Sequence, residues 1–108
     1  MKISEFQKLI DELYGKRDKK RGLDRTALWL MEEVGELAEA VRKRDKELAE
    51  EEVADVIAWT VSVANLMGID VEKAVKKKYP GKCPRCNSIP CMCPKEPDSN
   101  LDFDHDPD

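Results

Sequence analysis

The chain has 108 residues, 23 of them acidic and 19 basic, and a formal net charge of −4. That length suits one domain, and the acidic balance excludes a general nucleic-acid binder, so no stable nucleic-acid partner is expected. No apolar run approaches the ~18 residues of a membrane span, and Met1-Lys2-Ile3-Ser4-Glu5 is no signal peptide; the expectation is a soluble, cytoplasmic protein without a membrane partner.

The composition is uneven along the chain. All six prolines and all four cysteines lie from Pro80 onward, and residues 95–108 hold one Lys against six Asp or Glu, which leaves residues 1–94 at +1. The expected organisation is a proline-free body (1–79), a short cysteine knot (80–94) and an acidic, disordered tail (95–108).

The body reads as helices. Ile3, Phe6, Ile10, Leu13 and Tyr14 share one helical face over residues 3–14, with Gly15 as the expected C-cap. The basic stretch from Lys16 to Gly22 is expected as a loop. Asp24 is the expected N-cap of a second helix running to about Arg44, with Ala27, Leu30, Met31, Val34, Ala38 and Val41 as its buried stripe. A third helix, Lys46 to Met67, would bury Ala49, Val53, Val56, Ile57, Thr60, Val61 and Ala64. Gly68 ends it, and Asp70 caps a short fourth helix through Lys78. No segment alternates like a strand, so the fold class is all-α.

Acidic clusters sit on the second and third helices: Glu32-Glu33-Val34-Gly35-Glu36 and Glu52-Val53-Ala54-Asp55. A solvated charged face is the simplest reading of such clusters. Their positions argue for another. Trp29, Glu33, Glu36 and Ala40 form one stripe, and Leu48, Glu52, Asp55, Trp59, Ser62 and Leu66 form a second, each mixing carboxylates with a tryptophan. In an antiparallel hairpin turning near Arg44-Asp45, Glu36 lies level with Glu52, Glu33 with Asp55, and Trp29 with Trp59, each to within ~1.5 Å. Four carboxylates then converge. Like charges ~4 Å apart repel by several kcal/mol at an effective dielectric near 20, so the cluster needs cations or protons. Carboxylates without His or Cys suit hard ions, above all Mg²⁺ or Mn²⁺.

Glu-Glu-x-x-Glu followed, fifteen residues later, by Glu-x-x-Asp resembles the signature of MazG-type all-α nucleoside triphosphate pyrophosphohydrolases, over roughly residues 1–79. The resemblance implies Mg²⁺ ligation by Glu33, Glu36, Glu52 and Asp55, with Glu32 off the ligand stripe. It also implies cleavage of a nucleoside triphosphate into monophosphate and pyrophosphate, by a dimer or tetramer. The metal would neutralise the phosphates and help activate a water, and one carboxylate would take its proton. The only histidine, His105, lies in the tail, and no Ser-His or Cys-His pair offers a covalent route.

Arg17, Lys20 and Arg21 in the basic stretch, and Lys73, Lys76 and Lys77 near the fourth helix, are either phosphate contacts or ordinary surface charge. Some relatives place an aromatic near the nucleotide four residues after the motif aspartate. Trp59 stands there, as a base contact or as a core or interface residue. Other base contacts of narrow-range relatives fall on the Lys/Arg stretch and have no counterpart, so no single nucleotide is favoured.

Cys83-Pro84-Arg85-Cys86 and Cys91-Met92-Cys93 offer four thiolates for one tetrahedral, structural Zn²⁺. A disulfide or redox pair and free thiols are the alternatives, the first disfavoured inside a cell. The segment also resembles the C-terminal extension of some archaeal MazG-like proteins. Since helices two and three each have two seams to cover, a homo-oligomer with a four-helix core drawn from both chains is expected. The functional alternative to a hydrolase is a non-catalytic helical dimer whose knot and tail bind a protein partner.

Overall fold

The computed structural model describes residues 1–94; the tail, 95–108, and the expectation of disorder made for it lie outside the described residues. The described residues hold four α-helices and no strand: α1 (Ile3–Arg21), α2 (Leu23–Arg42), α3 (Lys46–Met67) and α4 (Val71–Lys78). The chain divides into two compact units, Met1–Ala74 and a second beginning at Val75.

In the first unit α2 and α3 form the antiparallel hairpin. Its turn needs one left-handed residue, supplied by Arg44 at φ 56°, and the Asp45 carboxylate caps α3 by accepting from the Leu48 N–H at 3.0 Å. α3 stops where Gly68 takes φ 69°, which lets the Ile69 N–H reach back to the Ala64 carbonyl at 2.9 Å. Asp70 then caps α4, accepting from the Lys73 N–H at 3.0 Å. Gln7 of α1 fastens this connection. Its amide donates to the Asn65 side chain (2.9 Å) and the Ile69 carbonyl (2.7 Å), and its oxygen accepts from the Val71 N–H (2.9 Å).

Three expectations are corrected here. Gly15 does not cap α1; it is buried in mid-helix, and the helix continues to Arg21. Lys and Arg are good helix formers, and Lys19, Lys20 and Arg21 in the last turn complement the helix dipole, so the expected basic loop is helix. Gly22, at φ 90°, is the real break. α2 therefore starts at Leu23 with Gly22 as N-cap and Asp24 in its first turn, and it ends at Arg42.

A fourth correction concerns which residues of the hairpin face inward. On α2 the expected apolar stripe is largely exposed: Met31 is 66% accessible, and Val34, Ala38 and Val41 are exposed too. Val53, Ile57 and Thr60 of α3 are likewise exposed. The buried positions are Thr26 and Ala40 on α2 and Glu52, Val61, Ser62 and Ala64 on α3. Val61 and Ala64 of the expected α3 stripe are buried as expected, and Ala40, Glu52 and Ser62 of the carboxylate–tryptophan stripes join them, so the hairpin's interior draws on both seams, with small residues such as Ala40 and Ser62 letting the helices approach.

In the second unit, Gly81 (φ 93°) and Asn87 (φ 59°) provide the reversals that fold the cysteine segment. The Asn87 N–H donates to the Cys83 carbonyl at 2.8 Å and the Cys83 N–H to the Ser88 carbonyl at 3.0 Å, closing a tight loop around Cys83-Pro84-Arg85-Cys86.

Candidate metal centre and adjoining pocket

Glu33 and Glu36 come from α2 and Glu52 from α3, and one carboxylate oxygen of each lies within 4.8 Å of the other two. Among the described residues, the ion pairs Arg21–Asp18, Arg42–Glu39 and Lys43–Glu39 leave these three carboxylates aside. Glu52 is buried and Glu33 half-buried, and one oxygen of each is shielded from solvent without a hydrogen-bond partner. Burial first, then a hydrogen bond with Glu52 and the charges of Glu36, Glu52 and Asp55, push the Glu33 carboxyl up to about 7. Burial also raises Glu52, as do the charges of Glu36 and Asp55, against a hydrogen bond with Glu33 that lowers it. A cation placed among these carboxylates would relieve the same repulsion. An octahedral hard ion with metal–oxygen distances of ~2.0–2.1 Å sets its ligand oxygens ~3–4 Å apart, so the donor set fits such an ion.

Asp55 stands outside this triad. Three residues advance a helix by ~300°, which turns Asp55 ~60° off Glu52. It lines a neighbouring pocket of about 310 Å³ with Tyr14, Arg17, Asp18, Arg21, Trp59 and others. Continuing α1 past Gly15 brings Arg17 and Arg21 there. Trp59 stacks on Trp29 with ring centroids 6.2 Å apart and planes 23° from parallel, as the level matching requires. The Arg21 guanidinium carbon lies 4.7 Å from the centre of the Trp59 ring.

Two of the other expected phosphate contacts, both in the first unit, do not line this pocket. Lys20 is exposed on α1 and is not among the pocket's lining residues, nor is Lys73, exposed on α4. Lys76 and Lys77 are exposed in the second unit. The residue missed by sequence reasoning is Asp18. It is 2% exposed and pairs with Arg21 at 2.8 Å. Its signal was its spacing: Ile10, Tyr14, Asp18 and Arg21 recur every three to four residues, the period of a helix that has not ended.

The four cysteines of the second unit are unbridged, and their sulfurs all lie within 4.8 Å of one another. Cys83 Sγ and Cys93 Sγ are 3.7 Å apart, against ~2.05 Å for a disulfide. Zinc–sulfur bonds of ~2.3 Å at tetrahedral angles set sulfurs ~3.75 Å apart. Backbone N–H groups point at two of the sulfurs, Met92 to Cys86 at 3.3 Å and Cys93 to Cys91 at 3.4 Å. The first of these chiefly draws the Cys86 thiol down to about 6, and the N–H groups of Cys86 and Arg85 lower Cys83. Hydrogen bonds with Cys91, Cys83 and Cys86 hold Cys93 protonated, up to about 12. Without a cation the four cannot all ionise, so this cluster too is a fit for a metal.

An all-α hairpin that brings carboxylates together from facing helices defines the class, a helical protein with a group of acids able to hold a metal ion. Within that class the chain belongs to the MazG nucleotide pyrophosphohydrolase domain family, whose model matches residues 21–87, more than half of its length. The match spans α2, α3, α4, Cys83 and Cys86, while most of α1, with Tyr14, Arg17 and Asp18, precedes it. No curated protein matches the chain. The family's activity is hydrolytic, on nucleotide pyrophosphate linkages. No single helix among the described residues is long and apolar enough to cross a membrane.

Proposed function

We propose that the protein is a Mg²⁺-dependent nucleoside triphosphate pyrophosphohydrolase, converting an NTP or dNTP and water to the monophosphate and pyrophosphate. The observation that carries this reading is the set of three unneutralised carboxylates on facing helices, two with buried, unpartnered oxygens. Glu33, Glu36 and Glu52, with Asp55 beside them, would hold the ion, which when bound supplies charge neutralisation of the phosphates and acidification of a water. One of these carboxylates takes the water's proton as its oxygen bonds to phosphorus, and the bond to the departing phosphate oxygen breaks. Mn²⁺ satisfies the same donor set. The pocket beside Asp55 is the place for the nucleotide, with Trp59 as the wall for its base and the arginine side of the pocket open to its phosphates.

The division of the chain follows from this reading: a catalytic body over 1–79, a structural zinc knot over 80–94 held by Cys83, Cys86, Cys91 and Cys93, and an acidic tail. The body assembles into a homo-oligomer, a dimer or tetramer with a four-helix core. Support comes from Met31, Val34, Val41, Val53 and Ile57, an exposed apolar stripe on the hairpin that a second copy would cover. A monomeric mass by light scattering at micromolar concentration would contradict the assembly. The enzyme is placed in the cytoplasm, where its nucleotide substrates are. A non-catalytic dimer that docks a partner through its knot has no use for clustered, unneutralised carboxylates.

The deciding experiment is a panel of nucleoside triphosphates with Mg²⁺, scoring pyrophosphate against orthophosphate. Pyrophosphate release with at least one nucleotide is expected. Orthophosphate alone, or no turnover with any nucleotide, overturns the proposal.

A further inference from the structure

Arg17 and Arg21 stand one turn apart on α1 and line the same pocket, yet their surroundings differ. Arg21 is committed. Its Nη1 donates to Asp18 Oδ1 at 2.8 Å and to Thr26 Oγ1 at 3.3 Å, and its guanidinium lies over the Trp59 ring. The Thr26 hydroxyl in turn donates to the Gly22 carbonyl at 2.7 Å, and Thr26 is fully buried. This chain ties the arginine to the corner between α1 and α2. The Asp18 side chain is only 3% exposed, and its second oxygen has no partner. Drawing Arg21 away toward a phosphate would strand that carboxylate, buried and uncompensated. Arg17 has no such tie. It is exposed, and it makes no ion pair or hydrogen bond among the described residues.

We propose a division of labour between the two arginines. Arg17 meets the phosphates of the substrate directly, and Arg21 is a positioning residue, held by Asp18 and Thr26, that fixes the Trp59 ring as one wall of the pocket. This deepens the hydrolase reading and rests on it for the identity of the ligand. Only a planar guanidinium satisfies Asp18, Thr26 and the ring face together; a lysine ammonium keeps the charge and loses the stack and the fork.

The test uses the full chain and Mg²⁺-saturated inorganic tripolyphosphate, which has phosphates and no base, with binding measured by calorimetry. Arg17→Ala is expected to weaken tripolyphosphate about tenfold or more, through loss of a charge-assisted contact, while the near-ultraviolet circular dichroism of the ligand-free protein stays as in wild type. Arg21→Lys is expected to do the reverse: tripolyphosphate affinity within about twofold, and an altered tryptophan spectrum before any ligand is added. Trp29 and Trp59 are the only tryptophans, so the spectrum reports on this pair. Tripolyphosphate binding that is absent in wild type, or unchanged in Arg17→Ala, overturns the role of Arg17. An unaltered spectrum in Arg21→Lys overturns that of Arg21. Should Arg21→Lys not fold, Asp18→Asn gives the same spectral test, since it keeps both arginines and loosens the anchor. Neither readout depends on turnover, so a wild-type protein that hydrolyses no nucleotide sinks the hydrolase reading separately.

Discussion

Replacing Gly15 by alanine tests whether α1 is one helix or two pieces. Were Gly15 a C-cap, its backbone would need the left-handed region, and a side chain there would cost ~1–2 kcal/mol. In the structure it sits in mid-helix, where alanine is favoured over glycine by ~0.8–1 kcal/mol. The opposing term is steric. A Cβ at Gly15 would meet Asp11 Oδ1 at 2.6 Å and Asp11 Cγ at 3.4 Å, with no other contact outside the helix's own backbone within 4 Å. Asp11 is exposed, and its carboxylate is the far end of a flexible side chain, so a change of rotamer clears the contact for a few tenths of a kcal/mol at most. The two terms leave a net stabilisation of ~0.5–1 kcal/mol, or ~2–8 °C in Tm for a unit of this size. Urea denaturation followed at 222 nm, at matched protein concentration so that self-association is held fixed, reads the sign directly. A destabilisation beyond ~0.5 kcal/mol would refute the continuous helix, and with it the route by which Arg17, Asp18 and Arg21 reach the pocket.

Glu36→Gln and Asp55→Asn each remove a charge without changing size, and each should abolish pyrophosphate release while far-ultraviolet circular dichroism stays helical; folded variants with wild-type turnover would refute the site. With metal withheld, the Glu33 carboxyl titrates near 7 and not at 4.5, so the folded state keeps a proton that the unfolded chain releases. This contribution to stability is full below about pH 4.5 and is lost as pH rises through about 7. Urea midpoints of the metal-free protein should fall across that window, and Glu33→Gln or saturating Mg²⁺ should flatten the fall; a wild-type profile that is already flat refutes it. Cys83→Ser with Cys86→Ser, or zinc chelation, should raise amide exchange across residues 80–94 and leave Mg²⁺-dependent turnover largely intact. Metal analysis finding no zinc in the purified protein, or lost turnover in a still-folded oligomer, would contradict that separation.

The helices were legible where their ends carry strong local signals: Asp70 as a cap and Gly68 as a stop each behave as their residue types dictate. The convergence of Glu33, Glu36 and Glu52 was legible for a related reason, since helical period and hairpin level need no knowledge of packing, whereas Asp55, expected with them, lies outside the group. Gly15 misled because glycine ends a helix only when the chain turns left-handed there, a choice made by the surroundings and not by the residue. Asp18 was hidden by its neighbours. Amid Lys16, Arg17, Lys19, Lys20 and Arg21 a lone acid reads as part of a solvated run, and its burial follows only once α1 is known to continue.

The exposed apolar stripe has a physical reason that composition alone does not supply. An apolar stripe of Met31, Val34, Val41, Val53 and Ile57 would by transfer energy go inside, and in this hairpin it does not. Clustered carboxylates gain strength as ligands when shielded, because a lower dielectric tightens their hold on a cation, and shielding requires facing helices. With α2 and α3 turned so that Glu33, Glu36 and Glu52 converge, helical geometry leaves the apolar stripe on the far side of the same helices. Site and exposed stripe are thus two consequences of one rotation. The rotation that brings the carboxylates together therefore also leaves the hairpin with an apolar stripe exposed. A substitution placing a charge at Val34 or Ile57 should therefore act on assembly first, and on the carboxylates only through it.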